Sequence, residues 1–192
     1  LAAEAMRATD RVALARIREE LAPLADDTWQ FFEALFAASA RNDTVQALSL
    51  RMQVLPSTLM SRFFRAKLPA PKRYLAYARL LRAARLFEDQ GHSIADVANA
   101  LDFSSPQSFG RHVYTFLGVS AGEFRRHFTA ERMLERLLDE LVRPHRATLR
   151  ALRPLALKPG MRSQPQGLRP APRQSLPRSI ANRTPARQRR IS

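Results

Sequence analysis

An all-α fold, two tandem helix-turn-helix units joined by a linking helix, is predicted by three features of the 192-residue sequence. The first is an internal repeat. Val45, Leu48, Ser49 and Met52 recur 49 residues later as Ile94, Val97, Ala98 and Leu101, and Pro56, Leu59, Phe63 and Tyr74 recur at an offset of 50 as Pro106, Phe109, Val113 and Phe124. A repeat of this length is one structural unit used twice. The second is spacing: within each copy the apolar residues of the first helix fall at i, i+3 and i+7, a helical period. The third is punctuation, since a proline stands where the second helix of each copy begins and residues 72–90 contain neither Gly nor Pro.

The elements follow in chain order. Residues 2–22 read as a helix with Leu14, Ile17, Leu21 and Leu24 along a seam of about one and a half heptads, too short for a coiled coil. Because the first residue is Leu, a missing upstream domain is expected, with residues 1–27 as the helix leading from it. Asp26, Asp27 and Thr28 offer an N-cap to a second helix, apolar at Trp29, Phe32, Leu35 and Phe36 and ending near Asn42. The repeat domain is placed at residues 28–128. Its first helix-turn-helix covers about 43–68: Asp43 and Gln46 have capping-box spacing, the helix breaks at Gln53-Val54-Leu55, and Pro56 opens the next helix, which buries Leu59 and Phe63. The linking helix spans about 72–90, closes at Gly91, and is about 28 Å long. The second unit covers about 93–117, with Ser105 as N-cap, Phe109, Val113 and Phe116 facing inward, and Gln107, Ser108 and Arg111 facing out. Residues 129–143 hold an amphipathic helix, apolar at Met133, Leu134, Leu137, Leu138 and Leu141 and stopped by Pro144. Residues 144–192, which contain eight of the 13 prolines and no acidic or aromatic residue together with the end of the basic charge, read as a disordered tail.

Composition narrows the function. The net charge of +15 is unevenly placed: residues 1–142 carry 19 basic and 17 acidic residues, residues 44–128 carry 12 against 5, and the 13 basic residues from Arg143 onward face no acidic one. Such a distribution favours a polyanionic partner. Neither a membrane span nor a signal peptide is expected, and a cytoplasmic location follows. There is no cysteine. The histidines at 92, 112, 127 and 145 lack metal-motif spacing, and no Gly-rich phosphate loop or nucleophile elbow occurs, so no enzyme, metal or cofactor is expected.

The repeat has the parts that base readout needs: a scaffold helix, a tight turn, and a second helix with one buried and one polar face. Ser49 and Ala98 stand where the two helices cross closely. Gln pairs bidentately with adenine and Arg with guanine, so Gln107 and Arg111 suit major-groove recognition. Arg62, Arg65, Lys67, Lys72, Arg73, Arg125 and Arg126 are candidate phosphate contacts, with Ser108 and His112 beside them on the second recognition helix.

The stretch resembles the DNA-binding domain of the AraC/XylS family of transcription regulators. The residues that carry the resemblance are Ser93-Ile94-Ala95-Asp96-Val97-Ala98, Leu101-Asp102-Phe103-Ser104-Ser105, Phe109-Gly110-Arg111 and Leu117 to Arg125, joined by Pro56-Ser57-Thr58-Leu59, Pro71-Lys72-Arg73-Tyr74, and Arg79-Leu80 with Ala83 and Leu86. The resemblance implies a bacterial activator that places both recognition helices in successive major grooves of double-stranded DNA and recruits RNA polymerase. It also implies base contacts from Ser57, Met60 and Ser61 in the first unit and Pro106, Gln107 and Arg111 in the second. The sequence departs from the family at three glycines, replaced by Gln53, Asp102 and Leu68, and at the expected Ser cap, replaced by Leu55. With only Ser57, Met60 and Ser61 as readers, the first unit is expected to position more than to specify.

Two other readings use the same residues. A non-specific nucleic-acid-binding or architectural protein would bind mainly through the basic tail. An interaction module would use the 131–142 helix, or the upstream domain, for self-association, although packing of so short a helix onto its own domain is the favoured expectation.

Overall fold

The computed structural model describes residues 2–23, 26–37, 44–89 and 91–152, and these are helical with no strand among them. The elements are α1 (Ala2–Leu21), α2 (Asp26–Ala37), α3 (Val45–Arg51), α4 (Pro56–Arg65), α5 (Pro71–Glu88), α6 (Ile94–Ala100), α7 (Pro106–Leu117), α8 (Ala121–His127), α9 (Ala130–Leu137) and α10 (Arg146–Ala151). Between α9 and α10 the chain stays helical through a wider turn at Leu138–Val142 and a tighter one at Arg143–His145.

α5 is the spine. Over its 18 residues, about 27 Å at the helical rise, it buries Tyr74, Leu75, Tyr77, Leu80, Leu81, Ala83, Ala84, Leu86 and Phe87 on nearly every side. A helix apolar all round needs neighbours all round. The first helix-turn-helix (α3, α4) and the second (α6, α7) both pack on it, each around its own aromatic nucleus. In the first, Phe31, Phe63 and Tyr74 meet with ring centroids 4.9 to 5.8 Å apart. In the second, Phe109 lies 5.3 Å from Phe103, 6.0 Å from Phe87 and 6.2 Å from Phe124. Ser49 and Ala98 are wholly buried, as close helix crossing requires.

Both turns are tight because one residue in each takes the left-handed conformation: Gln53 at φ 55° and Asp102 at φ 52°. A side chain there costs about 1–2 kcal/mol relative to glycine's freedom. After α4 the left-handed residue is Lys67, at φ 54°, and not Leu68, whose side chain turns into the core.

Several boundaries differ from the sequence reading. The cap of α3 is Thr44, which accepts the Ala47 N–H at 3.1 Å; Asp43 lies outside the described residues. Asp26 and Asp27 lie within α2, and the Thr28 hydroxyl caps nothing but donates to the Leu149 carbonyl at 2.6 Å. Pro144 does not stop the chain, because α10 returns against α1 and α2 and buries Leu149 and Leu152, so the tail boundary at 144 falls inside packed helix. The expected disorder from 153 to 192, like Leu24, lies outside the described residues. The 131–142 stretch packs on its own domain, as the favoured expectation had it, and not as a free self-association seam: Met133, Leu137, Leu138, Leu141 and Val142 are fully buried.

Candidate nucleic-acid interface

Both recognition helices begin at proline, whose missing N–H is harmless there. In α7 the Ser105 hydroxyl accepts the Ser108 N–H at 3.1 Å, a side-chain cap. In α4 the equivalent residue is Leu55, which caps nothing and stands 61% exposed.

The inner faces are alike. Leu59 and Phe63 of α4, and Phe109, Val113 and Leu117 of α7, are buried. Helical geometry then turns the residues between them outward. On α7, Gln107 and Arg111 are exposed and Pro106 is half-buried; on α4, Ser57 and Met60 are exposed and Ser61 is half-buried. One turn further along the same faces stand Phe64, 83% exposed, and Tyr114, 68% exposed. The sequence reading omitted both. They occupy equivalent repeat positions, and continuing the helical period from 57 and 61, or from 107 and 111, points to them.

The cations divide into three groups. Lys72, Arg111 and Ser108 line one cleft of about 630 Å³ together with Arg79, Ser104 and Thr115, with Asp102 on its wall. Arg79, missed from sequence, is fixed there: its guanidinium lies 3.6 Å from the Phe103 ring centroid and donates to the Leu101 carbonyl. This cleft brings positive charge to the flank of α7 and suits a phosphate. In the second group, Arg65, Lys67 and Arg125 are exposed and Arg62 is half-buried, none of them within that cleft.

Arg73 forms the third group and departs from expectation. It sits 2.8 Å from Glu140, which also accepts from the Tyr77 hydroxyl and from Arg136 at 2.7 Å. Burial pushes the Glu140 carboxyl up, and these hydrogen bonds outweigh it, holding its pKa below the usual carboxylate value. Arg73 thus ties the extension of α9 to α5, and its charge is already engaged.

His112 stands apart from these cations. Its register, three after Phe109 and four before Phe116, sets the ring 5.2 Å from Phe103 and 4.9 Å from Phe116, half-buried on the wall of the same cleft. Burial, with the nearby Arg79 charge adding, pushes its pKa down to about 4. A neutral imidazole packed between aromatic rings brings no charge to a phosphate. Among the described residues no cluster of His, Asp and Glu is fit to hold a metal, and no helix is long and apolar enough to cross a membrane.

Comparison with known proteins agrees with this geometry. Residues 48–127 match the family model of a helix-turn-helix domain. A curated relative, a lactose operon transcription activator from Staphylococcus xylosus, is 27% identical over 86 residues, covering 45% of this chain and 31% of the relative. The matched segment is thus about a third of that relative's length. No solved structure matches the chain.

Proposed function

Residues 48–127 are an AraC-type helix-turn-helix domain, and from that premise we propose that the chain is the DNA-binding part of a transcription regulator that reads a specific site. α4 and α7 enter successive major grooves on one face of the duplex, about 34 Å apart, with α5, about 27 Å long, packed between the two units. Gln107 and Arg111 read base edges, while Lys72, Arg79 and Ser108 in the cleft beside α7, with Arg65, Lys67 and Arg125, hold phosphates. Recruitment of RNA polymerase in the cytoplasm belongs to this reading, because the relative is named an activator.

One observation carries it: Gln107 and Arg111 stand exposed on the first turns of a capped helix whose opposite face is wholly buried, beside a cationic cleft. A purely electrostatic binder has no use for that bidentate pair. Arg111→Ala is expected to weaken the preferred duplex by about 1–3 kcal/mol, relax the preference at one base, and leave random DNA nearly unaffected. Titration of both duplexes at fixed salt checks this. Equal loss on both would assign Arg111 to the phosphate backbone.

A further inference from the structure

Among the described residues six large apolar side chains are exposed, and four of them, Leu50, Leu55, Met60 and Phe64, belong to the first helix-turn-helix. Three lie on α4 or at its N-terminus. The core does not require them, since Leu59 and Phe63 already fill the inner face. Leu55 also stands where a side-chain cap would stabilise the helix. Met60 and Phe64, four residues apart on α4, stand one above the other on a single exposed face, and an exposed apolar face of this kind beside cations marks a contact.

Its surroundings identify the partner. From Thr44 to Phe87 the chain holds nine basic residues and no acidic one. α4 is the structural repeat of α7, so Ser57, Met60, Ser61 and Phe64 match Gln107, Gly110, Arg111 and Tyr114 in place. An apolar face without carboxylates, ringed by Arg62, Arg65 and Lys67, fits a polyanion that itself presents apolar groups. In the major groove those groups are the thymine 5-methyls, and serine hydroxyls pair with either member of a base pair.

We propose that the first unit reads thymine methyl groups through Met60 and Phe64, in a thymine-containing half-site, while the second unit supplies the bidentate hydrogen bonds. The proposal rests on the DNA-reading function argued above. From residue 57 to 64 the exposed face rises about 10 Å, or roughly three base-pair steps. Ser57 and Ser61 set the register and the two apolar side chains close over the methyls. The first unit then specifies sequence without any bidentate residue.

The test uses the full chain. A preferred duplex is selected from a random pool, and each thymine is replaced singly by deoxyuridine, which lacks only the methyl group. At one or more thymines wild type is expected to lose about fourfold in affinity, the effect of one buried methyl. Phe64→Ala or Met60→Ala, both surface changes, starts weaker and shows no further loss at that thymine. Deoxyuridine tolerated everywhere, a selected site without thymine, or equal penalties in wild type and both variants would overturn the proposal. So would Phe64→Ala and Met60→Ala variants that bind and select like wild type, the result expected of a protein-docking face. Failure to enrich any sequence would instead overturn the DNA-reading premise, and this proposal with it.

Discussion

Arg111 and His112 are consecutive residues of one helix with opposite fates. A helix turns 100° per residue, so Arg111 stands in solvent while His112 lies between Phe103 and Phe116. Composition makes both cations, and only register against Phe109 separates them. The burial has a consequence for stability. An unfolded histidine takes a proton near pH 6.5, whereas in the fold His112 resists protonation down to about 4. Its contribution is complete above pH 6.5 and is lost as pH falls from 6.5 to 4, because the unfolded chain then binds the extra proton. The loss is on the order of 3 kcal/mol at most, reduced by the ring's partial exposure. His112→Phe keeps an aromatic ring and removes the titration. Urea-unfolding midpoints of wild type and variant are expected to diverge across that window, with wild type falling faster. Parallel profiles would show that the ring is solvated enough to titrate normally.

Elements within one repeat unit were legible in the sequence because their signals are local: apolar period, proline at helix starts, and the strained turn positions Gln53 and Asp102. Contacts between distant elements were not. Residues 1–27 read as a connector, yet α1 is docked along α5. Arg82 of α5, 2% exposed, holds Asp10 of α1 at 3.1 Å and the Phe36 carbonyl of α2 at 2.9 Å. The partners are 72 and 46 residues away, and no periodicity reports such a pairing. In the same way Thr28 looked like a cap because its bond to Leu149 spans 121 residues. The interface was legible where the repeat supplied a template, at Gln107 and Arg111, but not at Arg79, which only the folded turn brings over Phe103. The Arg82 pair also makes a prediction. Burial raises the Asp10 pKa against the pull of Arg82, so desolvation of this pair is large. Asp10→Ala leaves a buried, incompletely paired guanidinium and is expected to destabilise by about 3–5 kcal/mol, whereas Asp10→Leu with Arg82→Met recovers most of that loss. Denaturant titrations of the three proteins decide it. A single substitution as mild as the double would mean that α1 contributes little to the fold.

At the scale of the molecule, charge follows structure. Of the 13 basic residues after Val142, three are structural. Arg143 bonds Glu20 at 2.8 Å, Glu135 at 2.9 Å and Asp139 at 2.5 Å; Arg146 pairs with Glu20; Arg150 donates to the Leu21 carbonyl at 2.9 Å. The other ten lie in residues 153–192, with no acidic residue among them. A cut after Val142 therefore removes the buried Leu149 and Leu152 along with charge, and mixes instability with electrostatics. A cut after Leu152 separates the two. Ten such charges are expected to engage a phosphate backbone irrespective of sequence, and each phosphate neutralised on duplex DNA adds roughly 0.9 to the slope of log affinity against log salt. Truncation after Leu152 is thus expected to lower affinity for random duplex, flatten the salt dependence, and leave both the melting temperature and the preferred site unchanged. Truncation after Val142 is expected to lower the melting temperature as well. Titrating the three chains onto preferred and random duplexes across a salt series measures each part. Equal slopes for the full chain and the chain ending at Leu152 would leave residues 153–192 without a role in DNA binding, and specificity and non-specific affinity alike would rest on the helix-turn-helix domain.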